Sequence, residues 1–204
     1  MRNKKIKDLV FFSILVALIV ILVFSGAGFI VIGTFAAVTI IHIPVLVGAQ
    51  VLGKKYGVML GFVFGITSLI QAFLTLGINA PFTNPILSVL PRMFFGFIVC
   101  PIYSFLVDKI NNKNVSCGIT FGVCTFIHTV VVVFLLFVVG KTGFFFYASE
   151  HAYIIETNVI VFMGACFTIN SLIEVLLAVL VACPIARALD VVMHKDDIIE
   201  TNED

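Results

Sequence analysis

The chain has 204 residues, of which 61% are hydrophobic and 11% charged, with a mean hydropathy of +1.22. A water-soluble domain is nearer half apolar and a quarter charged, so the composition excludes that class and points to an integral membrane protein. The net charge of +1 says nothing about partners, because in a membrane chain the placement of basic residues matters rather than their sum.

A bilayer core about 30 Å thick takes roughly 20 apolar residues in a helix. Six runs qualify, so the expected fold is all-α: one membrane domain over residues 1–204 with six transmembrane helices and short tails at 1–8 and 188–204. The first run, Leu9 to Gly28, follows the basic start Met1 to Lys7; it is too long for a signal-peptide core, and no cleavage site follows closely. Ser13 and Ala17 on this run form a small-xxx-small pair. The second, Ala36 to Leu52, is short and interrupted by His42 and Pro44, and is expected to begin as an irregular or re-entrant segment, tolerated only against protein or water. Leading into and along the third, Val58 to Leu76, glycines recur at Gly53, Gly57, Gly61 and Gly65, a spacing that makes a side-chain-free groove for internal helix packing.

Asn84 and Pro85 lead into the fourth run, Ile86 to Val107, which contains Arg92. The fifth, Ser116 to Val139, holds His128 and Thr129 near its middle. The segment Gly140 to Thr157 follows, with Phe144 to Tyr147 reading either as part of a lid or as an aromatic belt at the interface. The sixth run, Asn158 to Ala186, places Asn170 and Glu174 on one helical face. Five cysteines, Cys100, Cys117, Cys124, Cys166 and Cys183, lie in or beside these runs without a C-x-x-C pair, and read as small packing residues.

Placing the N-terminus in the cytoplasm puts Arg2, Lys4, Lys5, Lys7, Lys54, Lys55, Lys109, Lys113, Arg187 and Lys195 inside, with Lys141 alone outside. The positive-inside rule therefore predicts two cytoplasmic termini and a multi-pass membrane protein.

An ionisable group at bilayer depth is costly unless it faces a cavity or a partner, so Arg92 and Glu174 mark a substrate or ion path. With Asn84, His128, Thr129 and Asn170 they form the candidate substrate-binding set, drawn from three consecutive helices. The competing reading is structural: Arg92 snorkelling to headgroups, His128 or Asn170 bonding a neighbouring carbonyl. By helix rise Glu174 lies on the order of 10 Å deeper than Arg92. A direct ion pair is therefore not assured, and protonation or polar groups of the fifth helix are the open alternatives for Glu174.

Gly140-Lys-Thr142 looks like the tail of a phosphate-binding loop, but Leu135 stands where the motif needs glycine. No G-x-S-x-G or H-E-x-x-H occurs, so no enzymatic activity, metal or cofactor is expected.

Thr39 to Ala49, then Leu52-Gly-Lys-Lys-Tyr-Gly57 and Gly61 to Ser68, resemble substrate-binding S components of energy-coupling factor (ECF) transporters, as do Leu90-Pro-Arg-Met-Phe-Phe-Gly96, Asn170-Ser-Leu-Ile-Glu174 and Pro184-Ile-Ala-Arg187. The resemblance implies a membrane subunit that captures a vitamin from outside, docks on a scaffold membrane protein carrying two cytoplasmic ATPases, and topples to deliver its ligand. The family's A-x-x-x-A docking patch on the first helix matches Ser13 and Ala17 here, a conservative departure. The pattern from His42 to Ser68 is most similar to pantothenate-type members, with folate and other small vitamins open. A buried guanidinium favours a carboxylate-bearing ligand, and the lack of tryptophan disfavours a cation-stacking cage. The alternative function is a self-sufficient secondary transporter of a small carboxylate, coupled to protons through Glu174 and His128.

Overall fold

In the computed structural model, which describes residues 2–32, 36–75, 82–142 and 171–200, five helical segments are long and apolar enough to cross a bilayer: Lys4–Phe24, Lys54–Thr75, Pro85–Ile110, Lys113–Leu136 and Ser171–Met193. The elements in chain order are α1 (Arg2–Phe24), β1 (Phe29–Ile32), β2 (Ala36–Thr39), α2 (His42–Leu52), α3 (Lys54–Thr75), α4 (Pro85–Ser88), α5 (Leu90–Ile110), α6 (Lys113–Thr142) and α7 (residues 171–200). The lid residues 143–157 and Asn170 lie outside the described residues, as do 158–170 of the expected sixth span and Cys166.

The second expected span is met in part: its start is not helical, in line with the interruption by His42 and Pro44, and its helical part is short. Its first residues, Ala36–Thr39, are not helical but pair antiparallel with Phe29–Ile32, in the register Phe29 to Thr39 and Ile32 to Ala36. Among the described residues the fold is therefore helical with one two-stranded ribbon. Both strands are rich in residues that favour extended backbone. Gly28 ties the ribbon to α1: it accepts from Ile40 N–H at 3.0 Å and donates to the Leu22 carbonyl at 2.9 Å, and a Cβ at this glycine would meet Ile41 Cγ1 at 2.5 Å. What remains helical is α2, 11 residues with Pro44 in its first turn, where no N–H is needed. At 1.5 Å per residue α2 is about 16 Å long, too short to span. Its buried residues run from His42 to Val51, so it lies inside the bundle, which supplies it with partners where lipid would otherwise require a longer element.

Glycines set the tightest helix pair. Gly57 abuts the backbone of Gly96, Gly61 that of Arg92, and Gly65 that of Val89, whose Cα would lie 2.7 Å from an added Cβ. The order of these contacts makes α3 and α5 antiparallel, with the groove of α3 filled by α5 as expected for internal packing. Gly53 is not in this groove; its φ of 92° makes the turn between α2 and α3.

At the end of the bundle where Arg187 lies, α6 and α7 are joined by Arg187, whose Nε donates to Asn114 Oδ1 at 2.9 Å and whose Nη1 pairs with Asp190 at 2.9 Å. Residues Ala178–Ala182 are π-helical just before Pro184. The wider turn accommodates the carbonyl that a proline ring four residues later would otherwise strike.

On α1, Leu15, Ile19 and Val23 face the core at helical spacing, while Leu9, Ile14 and Ile21 on the other side are more than half exposed. Large exposed apolar residues recur on α3, α5, α6 and α7. Such a continuous apolar exterior suits hydrocarbon and not water.

Candidate functional site

The start of α5 is built around two prolines. Asn84 caps α4, its Oδ1 accepting from Ile86 N–H at 2.9 Å with Pro85 at the first helical position. Pro91 has no N–H to offer the Leu87 carbonyl four residues earlier, so that acceptor is left over at membrane depth. Arg92 takes it: Nη1 donates to Leu87 O at 2.6 Å, and the guanidinium carbon lies 5.6 Å from the Phe64 ring centroid and 5.2 Å from that of Phe82. The side chain is 8% exposed, and its Nε has no partner among the described residues. Arg92 therefore does not snorkel. It turns back into the protein, with one N–H used locally and another still available.

Glu174, 9% exposed, does not pair directly with Arg92. Its Oε1 accepts from both the N–H and the hydroxyl of Thr39, at 2.9 and 2.7 Å. The antiparallel register leaves the Thr39 N–H pointing away from β1, and an unpaired edge donor at this depth would be costly. Glu174 thus finds its partner on the ribbon, 135 residues earlier, and not on the fifth expected helix. His42 follows at the start of α2. It is 2% exposed, and among the described residues neither ring nitrogen completes a hydrogen bond of normal geometry.

His128 on α6 packs against Phe95 of α5, ring centroids 4.8 Å apart, and His42 meets the same Phe95 edge-on at 6.4 Å. Among the described residues the Nε2 of His128 is buried without a partner, as is the hydroxyl oxygen of Thr125 one turn before it. Thr129, by contrast, spends its hydroxyl on the Thr125 carbonyl of its own helix at 3.1 Å.

Of the residues expected to bind substrate, Arg92, His128 and Glu174 are gathered in one buried region. Asn84 sits beside them as a helix cap, and Thr129 is directed to its own backbone. The sequence reading missed Thr39, Phe95 and Thr125 and did not place His42 in the site. A histidine in an apolar run two residues before proline was the available signal for His42; Phe95 carried none, being one phenylalanine among 22. The region offers a guanidinium N–H, two imidazoles and a hydroxyl with unmade hydrogen bonds, enclosed by Phe64, Phe82 and Phe95. That is the chemistry of a site for a small anion with further polar groups.

The family model for the substrate-specific component of ECF transporters matches residues 7–186. Over 205 residues the chain is 26% identical to the "Pantothenic acid transporter PanT" of Lactococcus lactis subsp. cremoris (strain MG1363), covering 93% of this chain and 96% of that protein. It is 28% identical over 202 residues to the "Pantothenate transporter PanT" of Leuconostoc mesenteroides subsp. mesenteroides, covering 93% and 95%.

Proposed function

Since the chain belongs to the substrate-specific components of ECF transporters, we propose that it is the pantothenate-binding membrane subunit of such an importer. The observation that carries this reading is the similarity to two proteins named as pantothenate transporters along nearly the whole length of both chains. Arg92 supplies matching chemistry: a buried planar cation with a free N–H suits the ligand's carboxylate.

In this reading the basic loops and both termini face the cytoplasm, and the ligand enters from the other side. Asn170 and the lid over Gly140 to Thr157 complete the site. The exposed face of α1 carrying Ser13 and Ala17 receives the scaffold protein, which in turn carries the two ATPases. A chain without an ATPase of its own belongs in such a division of labour, and the family match gives no support to a self-sufficient proton-coupled carrier. Titration of the purified protein with pantothenate, with folate as comparator, tests the assignment, as does mass spectrometry of small molecules that co-purify with it. Saturable pantothenate binding with no folate binding is expected; folate binding alone would overturn the choice of vitamin.

A further inference from the structure

We propose that His42 and His128, both packed against Phe95, form a second subsite that reads the hydroxyl groups of the ligand, while Arg92 reads its carboxylate. The inference rests on the pantothenate reading and assigns parts of the ligand to parts of the site.

Three polar side chains from two elements converge here with hydrogen bonds unmade among the described residues. His42 opens α2, Thr125 and His128 lie one turn apart on α6, and Phe95 on α5 touches both imidazoles. Phe95 is fully buried and follows Arg92 by three residues, hence lies one turn along the same face. Arg92 and the imidazole pair therefore border the same stretch of α5.

Packing alone does not account for this arrangement. A buried imidazole nitrogen with no partner is costly, and an apolar side chain of similar shape would satisfy the same contacts against Phe95 without that cost. Two such histidines and the Thr125 hydroxyl, gathered beside a cation with a free N–H, suit a ligand that brings its own donors and acceptors. An imidazole and a hydroxyl each both donate and accept, which matches hydroxyl groups and gives no special advantage to a second carboxylate. Glu174 acts through others: by holding Thr39 it fixes the backbone three residues before His42, and so serves as a positioning residue.

The test compares pantothenate with an N-acyl-β-alanine analogue that keeps carboxylate and amide but lacks both hydroxyl groups, each titrated into the full-length protein in detergent. The parent should prefer pantothenate by at least about tenfold, as a site built to bond hydroxyls rejects an analogue without them. In His128→Phe and His42→Phe that preference should collapse toward unity, while the analogue is bound about as tightly as by the parent; this retained binding also reports that each variant is folded. His128→Gln, which keeps a donor and an acceptor, should restore part of the preference. Arg92→Lys should weaken both ligands by a similar factor. A preference unchanged in both histidine variants, or a parent that binds the two ligands equally, would overturn the subsite and leave the pantothenate assignment standing. A parent that binds neither ligand would overturn the pantothenate reading and the subsite together.

Discussion

Arg92 has two tasks that its substitutions separate. It satisfies the Leu87 carbonyl orphaned by Pro91, and in the proposed site its free Nε is offered to the ligand. Arg92→Lys keeps the charge but loses the planar fork, so ligand affinity should fall by about 2–5 kcal/mol, the range for breaking a buried charge pair. Isothermal titration reads this directly, and a lysine variant that binds like the parent would leave Arg92 as a structural residue only. Glu174 admits a similar separation. Glu174→Gln retains an oxygen that accepts from Thr39, whereas Glu174→Leu leaves the Thr39 donors unpaired at a cost of about 1–3 kcal/mol. Hydrogen exchange at Thr39 and its neighbours should therefore speed up markedly in the leucine variant and little in the glutamine one. Equal exchange in both would show that the ribbon is held by other contacts.

Among the elements, the glycine seam between α3 and α5 and the outer face of α1 make opposite demands. At Gly61 an added Cβ runs into the backbone of Arg92, which cannot move aside as a flexible side chain would. Gly61→Leu should cost about 1–3 kcal/mol or more by overpacking, seen as a lower unfolding temperature in detergent, and should shift Arg92, the residue proposed to anchor the ligand. Gly118→Ala is the control, since its Cβ would meet Val179 Cγ1 at an ordinary 3.7 Å; it should unfold like the parent. Ser13 and Ala17 are exposed, with the serine hydroxyl turned back to the Leu9 carbonyl at 2.8 Å, so the surface they offer is smooth and apolar. Ser13→Leu or Ala17→Leu should leave ligand binding intact and abolish uptake by the assembled importer. Normal uptake in both variants would place the docking surface elsewhere, and not on the Gly57 to Gly65 groove, which α5 already fills.

At the scale of the whole molecule, the chain is the binding part of a larger machine. Vesicles containing only this protein should accumulate no pantothenate against a gradient under any proton gradient, and should do so once the energising module and ATP are supplied. Accumulation by the lone protein would refute the division of labour. Residues 143–157 are proposed to close over the ligand, so their hydrogen exchange should slow at saturating pantothenate; unchanged exchange there would return Phe144 to Tyr147 to the role of interface anchors.

Much of this was legible in one dimension because the bilayer is a demanding solvent. Five helices of membrane-crossing length follow from runs of apolar residues, since hydrocarbon forbids unpaired backbone and leaves helices as the local solution. The cost of burying charge likewise singled out Arg92 and Glu174, and the four-residue glycine spacing announced a close helix contact. Tertiary structure decided what lay beyond local period. Ala36–Thr39 is apolar enough for a helix, yet it pairs with Phe29–Ile32 because α2 lies inside the bundle and need not span. The partner of Glu174 is 135 residues away, on a strand edge whose free donor exists only once the ribbon has formed. His42 and Phe95 join the site for the same reason: a single apolar face has no sequence signature for what will pack against it, and only the meeting of α2, α5 and α6 brings two imidazoles to one ring.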